Sequence, residues 1–461
     1  MRDDKVIIVS ADGHAVMPAD QWTEYLDEEF HGELPSLRKE VEVMTGTMSL
    51  LNDMALPESL YEVFDKDGLY QSGQWRGLYD PEVRLRELDR EGVAAEFIFH
   101  GDFRFPEMGF SPMNGTHPFD FVDAGVRAYD RWLADTFGPL RDRFLLVAPT
   151  GTNRDLDATV RELHWVADQG FVGSFVPGFT RFEGVPAIYD PYWEPLWQAH
   201  DERDLALVVH GGYGFGQGFA YDAIENAHVK VAAQNGGTME LIVALTEGLF
   251  NDDFFRDISC RRAMWQLFMS GVFDRHPNLK LFMTEVRADW IPPALAHLDA
   301  LFEEHRADLP AKRKPSEYWE ENCMAGLSFM HTSEVEMRDE IGVHKILFGR
   351  DYPHTEGTWP NTDDYLRTLF AGVPEGDVRK ILGENAIDFL GLDRAKLAAI
   401  AERVGPSIDD IVSGPETDPA LLAHLAERTG ILKPAEGEGR VLEYEPMLKE
   451  DLANVGAQVV G

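Results

Sequence analysis

Four segments far apart in the chain carry side chains able to meet at one cation: Asp12-Gly13-His14, His210-Gly211-Gly212, Glu285, and Asp351-Tyr352-Pro353-His354. Mixed imidazole and carboxylate donors suit zinc, manganese or iron, and no thiolate accompanies them. Asp12 and His14, at i and i+2, face the same side of an extended segment, so both can reach one ion. A divalent ion lowers the pKa of bound water and polarises a carbonyl or carboxylate, so hydrolysis and decarboxylation can both begin at such a place. Any one of these residues alone reads better as an ordinary buried histidine or a solvated acid. The weight lies in several of them occupying the same kind of position.

That position is the end of an apolar run. Runs of strand length occur at 6–11, 95–99, 144–148, 172–176, 205–209, 279–283, 325–329 and 345–348. They are short and rich in β-branched and aromatic residues, which favours strands over helices. Helical patterns lie between them, such as 81–91 closed by Gly92 and 119–137 closed by Gly138. Ser333 and Glu336 are spaced as a capping box ahead of the eighth run, with Gly342 beyond. Eight alternating units predict an α/β fold, a (β/α)8 TIM barrel with long βα-loop insertions and a C-terminal extension. A doubly wound open sheet is the runner-up. In a barrel the C-terminal mouth collects the residues after each strand, and closure makes Asp351 a neighbour of Asp12 and His14.

The expected division is a metal-dependent catalytic barrel over 1–392, with insertions at about 30–80 and 211–250, and an extension over 393–461. The second insertion begins with the glycine- and aromatic-rich stretch from Gly211 through Phe219, which has the composition of a flexible lid. Prolines at 406, 415, 419, 434 and 446 break the extension, whose acidic excess reads as a wrapped arm, a candidate for oligomerisation.

Several segments together resemble the amidohydrolase-related group, the branch of the amidohydrolase superfamily that includes aminocarboxymuconate-semialdehyde-type and resorcylate-type decarboxylases. They are Ser10-Ala11-Asp12-Gly13-His14, the stretch from Tyr189 to Trp197, His210-Gly211-Gly212, the stretch from Phe273 to Lys280, and the stretch from Phe348 to His354. The resemblance covers roughly residues 5–392. It implies metal ligation by Asp12, His14, His210 and Asp351. Two departures stand out: many relatives carry His-x-His or Glu-x-His after the first strand, and decarboxylase relatives often place a histidine where this chain has Glu285.

The first expectation for function is a metal-dependent hydrolase of a small organic substrate, with Asp351 accepting a proton from activated water and His354 or Glu285 assisting the leaving group. The alternative is a non-oxidative decarboxylase of a small aromatic or unsaturated carboxylic acid. A third reading adds Glu285 and His354 as ligands of a second ion, giving a dinuclear iron or manganese oxygenase; against it, Glu285 can simply hydrogen-bond a ligand histidine. A fourth makes the chain a non-catalytic subunit beside a related partner. Zinc is the first expected ion, with manganese or iron as the others.

Forty-two basic against 81 acidic side chains give a formal charge of −39, which repels phosphate backbones and anionic bilayers and excludes nucleic acid as a partner. Two cysteines, Cys260 and Cys323, offer no disulfide framework. No run approaches the roughly 20 apolar residues of a membrane span. A cytoplasmic enzyme acting on a small molecule, as a homo-oligomer or with a related subunit, is expected. Packing is the preferred reading of Tyr213, Phe215 and Phe219, a structural role that of His100, and ion pairing that of Arg181, Arg287 and Arg350. His228, His276 and His305 are expected at the periphery.

Overall fold

The computed structural model describes residues 5–42, 65, 68–69, 75–101, 117–149, 151–178, 180–216, 219–237, 240–241, 244, 258–328, 330–354, 357–423 and 444–460. All eight apolar runs become strands: β1 (Val9–Ser10), β2 (Ala95–His100), β3 (Phe144–Ala148), β4 (Gly173–Phe175), β5 (Ala206–Val209), β6 (Leu281–Met283), β7 (Cys323–Leu327) and β8 (Ile346–Phe348). Each pairs in parallel with the next, in sequence order. Representative partners are Val9 with Ala95, Val209 with Met283, and Leu327 with Phe348.

The seam shuts between the last strand and the first. The amide of Ala11 donates to the Phe348 carbonyl at 2.9 Å, Asp351 to Asp12 at 3.1 Å, and His14 to Tyr352 at 2.8 Å. An open sheet would leave these groups on opposite edges, so the doubly wound alternative is excluded. The short strand His14–Ala15 runs on beyond β1 and pairs with the far end of β2.

Helices separate the strands because turn chemistry and apolar periodicity agree. The helix α1 (Pro81–Arg90) starts with Pro at its first position, and the Asp80 side chain accepts from the amides of Glu82 and Val83. Gly92 then turns the chain at φ 71°. The longer α2 (Phe119–Thr136) buries Phe121, Val122, Tyr129, Trp132 and Leu133 on one face. It does not stop at a left-handed Gly138; the chain passes into a 3-10 turn, Gly138–Leu140. Asp155 caps α3 (Leu156–Asp168), and α4 (Glu194–Arg203), α5 (Ile258–Met269) and α6 (Ile291–His305) follow β4, β5 and β6. The capping box expected at Ser333 and Glu336 sits two residues earlier: α7 is Thr332–Glu336, and Glu334 reaches back to the His331 amide at 2.8 Å. Glu334 is also held by the Ala288 amide, so tertiary contact chose the frame.

The barrel interior is filled by aromatic rings. Phe97 and Phe282 lie 4.7 Å apart across it, and Phe99 stacks on Phe175 at 5.9 Å. The extension is less broken than its prolines imply: it forms helices Arg394–Val404, Ile408–Val412 and Glu445–Val460. It packs on its own barrel, where Val6 donates to the Pro406 carbonyl, Lys396 pairs with Asp142, and Asp451 binds Arg262. Among the described residues, no helix is long and apolar enough to cross a membrane.

Candidate metal centre

Three strand ends and the barrel seam bring Asp12, His14, His210 and Asp351 together, all buried. Asp12 Oδ1 lies 3.3 Å from His210 Nε2 and 3.6 Å from His14 Nε2; Asp351 Oδ1 lies 3.1 Å from His14 Nε2. Ligand arms of about 2.1 Å at tetrahedral or octahedral angles leave neighbouring donor atoms roughly 3.0–3.4 Å apart. The donor atoms form two groups that share His14, one of Asp12, His14 and His210 and the other of His14, Asp351 and His354, and the 3.1 and 3.3 Å separations are those of neighbouring donors on an ion. Asp351 Oδ2 is buried with no hydrogen-bond partner among the described residues, a costly arrangement unless the atom meets a cation or a substrate proton.

The histidines present the correct nitrogen. His14 Nδ1 is 3.1 Å from the His100 carbonyl, so that nitrogen carries the proton and Nε2 keeps its lone pair for the cluster. His210 Nδ1 lies 3.0 Å from the Gly211 carbonyl and 3.1 Å from Glu285 Oε2, which likewise turns Nε2 toward Asp12. Burial opposes charge on His210, but Asp12 and then Glu285 outweigh it and hold its pKa well above the usual imidazole value. Two carboxylates around one buried ring make a site that draws positive charge. Burial also pushes the Asp351 carboxyl up, yet His354 and His14 prevail and hold it below the ordinary carboxylate range.

His354 joins through Asp351. Its Nδ1 is 3.0 Å from Asp351 Oδ1, and its ring lies 4.2 Å from that of His14. Its side chain remains partly exposed, at 16%. Glu285 contacts Nδ1 of His210, the nitrogen on the far side of the ring from the one facing Asp12. That is the outer contact weighed against a second ion. Asp351 and Glu285 both hold left-handed backbone, at φ 53° and 54°, a conformation non-glycine residues rarely adopt and one that concentrates at functional sites.

Two supporting residues escaped the sequence reading. Ser328, directly after β7, donates its hydroxyl to Asp12 Oδ2. It occupies a strand end like the others, but the apolar run read over 325–329 encloses it, because the strand itself stops at Leu327. Cys260, on α5, donates to the His210 carbonyl at 3.3 Å; nothing in its surroundings in the chain signals that.

Tyr213 is buried and its hydroxyl donates to the Pro177 carbonyl, so it packs. The side chains of Phe215, Phe219 and Arg181 lie outside the described residues, although Phe215–Gly216 pairs with Thr180–Arg181. Arg287 is bound by Asp289 and Glu334, and Arg350 by Glu91 and Glu96. His276 is tied to Glu194 on α4, away from the cluster. His100 lends its carbonyl to His14, while burial, then His210 and His14, push its own ring down to about 3, so the ring stays neutral.

A family model described as amidohydrolase matches residues 37–392, which leaves Asp12 and His14 outside the matched span. No curated protein matches. Solved structures that share the fold include an amidohydrolase from Mycobacterium avium subsp. paratuberculosis K-10, 20% identical, with a TM-score of 0.56 over 84% of this chain and 99% of the other. A 5-carboxyvanillate decarboxylase from Sphingomonas paucimobilis is 17% identical, with a TM-score of 0.55 over 84% of this chain and all of the other. A dihydroxybenzoic acid decarboxylase from Polaromonas sp. JS666, with bound manganese and the inhibitor 2-nitroresorcinol, is 20% identical, with a TM-score of 0.51 over 85% and 99%.

Proposed function

The chain belongs to the amidohydrolase family, and from that premise we propose that it is a metal-dependent hydrolase of a small organic substrate. The observation that carries the reading is the pair of donor groups joined at His14, Asp12–His14–His210 and His14–Asp351–His354, with a carboxylate oxygen of Asp351 left over. Those four residues would hold the ion, zinc or manganese. When bound, a divalent ion supplies Lewis acidity, polarising a substrate oxygen and acidifying water.

The protein groups divide the remaining work. Asp351 has one oxygen engaged by His14 and His354, and its free oxygen accepts the proton of the attacking water. His354, partly exposed and 3.0 Å from Asp351, is placed to carry that proton to the leaving group. Glu285 is occupied with His210 Nδ1 and fixes that ring's orientation. Phe99 and Phe175 flank His210 at 4.8 and 6.0 Å and keep the floor of the site dry.

A second reading is decarboxylation, favoured by the Asp351–His354 pair, which equally serves to protonate the carbon that loses carbon dioxide. The fold likeness to the carboxyvanillate and dihydroxybenzoate decarboxylases is in keeping with it. Metal-loaded protein offered panels of small cyclic amides and esters, and of hydroxylated aromatic acids, in 18O-labelled water separates the two. Hydrolysis places one labelled oxygen in the product; decarboxylation releases carbon dioxide and places a solvent proton on carbon. Turnover on the second panel alone would overturn the hydrolytic reading.

A further inference from the structure

Behind the ligand-bearing loops lies a second buried cluster that the chemistry above does not use. Glu96 on β2 faces away from Phe97 and the barrel interior, toward α1, and is fully buried. Its Oε2 accepts from Arg84 Nε at 2.7 Å and its Oε1 from Arg350 Nε at 2.9 Å. Arg350 also binds Glu91 at 2.6 Å, so two guanidiniums and two carboxylates balance out of contact with water.

Each arginine touches a segment that carries ligands. Arg84 Nη1 donates to the His14 carbonyl at 3.0 Å, and Arg350 directly precedes Asp351, its amide held by Ser10 Oγ at 2.9 Å. Tyr352, which follows Asp351, lies 3.7 Å from the Arg84 guanidinium and 5.1 Å from that of Arg350. The cluster is pressed against the backbone between Asp12 and His14: a Cβ on Gly13 would sit 2.6 Å from Arg84 Nη2 and 2.8 Å from Glu96 Oε1. A glycine between the two ligands is therefore a steric requirement of the cluster.

We propose that Glu96 is a positioning residue for the metal centre: by gathering Arg84 and Arg350 against Gly13, it sets the spacing between the first-strand pair Asp12 and His14 and the last-strand Asp351. The proposal rests on the metal reading of the strand-end cluster. Partners hydrogen-bonded directly to ligands typically change metal affinity 10–100-fold when removed; Glu96 acts one contact further out, through Arg84 and Arg350, so the lower end of that range is expected.

The test uses the full chain stripped of metal and titrated with Mn(II) against a metallochromic chelator, with the Mn(II) paramagnetic resonance line shape recorded on the loaded protein. Glu96→Gln, folded by circular dichroism, should bind Mn(II) about 10-fold more weakly and show an altered line shape. Glu91→Gln, which loosens Arg350 from its outer side, gives a milder form of both effects and stands in if the first variant does not fold. Wild-type affinity and line shape in a folded variant would overturn the positioning role while leaving the metal reading intact. Failure of the wild type to bind any ion would remove the metal reading and this inference together. Collapse of both variants would assign the cluster to the fold and also overturn the proposal.

Discussion

Asp351 Oδ1 lies 3.1 Å from His14 Nε2 although 337 positions separate the two residues in the chain. The contact exists because β8 closes on β1, and it ties one carboxylate to both the first and the last strand. Replacing that carboxylate by an amide keeps the volume and removes the charge. Asp351→Asn should lower kcat by about 10³-fold or more while the protein stays folded, because both a ligand and the proton acceptor are lost. Steady-state kinetics on metal-saturated protein check this. Activity within a factor of ten of wild type would move the proton acceptor elsewhere.

Glu285 separates two accounts of the site. If it only orients His210 through Nδ1, then Glu285→Gln, which still offers an oxygen to that nitrogen, weakens the binding of one ion by about 10-fold and leaves the stoichiometry at one. Loss of a second equivalent of metal in the variant, measured by elemental analysis, would instead favour the dinuclear reading.

Ser328 tests how far Asp12, as a proposed ligand, depends on its outer partner. Ser328→Ala removes the hydroxyl donor from Asp12 Oδ2. The expected result is a roughly 10-fold weaker metal affinity with unchanged substrate KM at saturating metal. A change in KM without a change in metal affinity would place Ser328 in the substrate pocket.

His200 gives a pH dependence of stability independent of the metal centre. It is buried on α4, with Nδ1 at the Leu196 carbonyl and Nε2 2.9 Å from Ser174 Oγ, and burial pushes its pKa from 6.5 down to about 4. Between those values the unfolded chain takes up a proton that the folded chain refuses. Stability contributed by neutral His200 is thus full above pH 6.5 and is lost as the pH falls toward 4, by about 3 kcal/mol. Urea unfolding at pH 7 and pH 5 reads the loss, and His200→Gln should reduce the difference between the two midpoints. An equal difference in the variant would assign the acid sensitivity to other groups.

The fold was legible where one signal sufficed. Eight short, mostly apolar runs became eight barrel strands, because parallel strands in a barrel are buried on both faces. The residues Asp12, His14, His210 and Asp351 could be picked out because each follows such a run. What stayed hidden depends on three-dimensional context. The start of α7 is set by Glu334 bridging the His331 and Ala288 amides, a choice that local spacing at Ser333 and Glu336 cannot reveal. Arg350 and Arg84 looked like any charged residues in an acidic chain; only the packing of β2 against α1 shows that they share Glu96. The left-handed backbone at Asp351 and Glu285 likewise has no glycine or asparagine to announce it.

One cation shared by the first and last strands underlies the proposed chemistry. Anomalous diffraction from crystals of the manganese-loaded protein, collected on either side of the manganese edge, locates that cation directly. A single peak is expected within bonding distance of Asp12, His14, His210 and Asp351. A loaded crystal with no peak there, or with its ion bound away from His14 and Asp351, would contradict it.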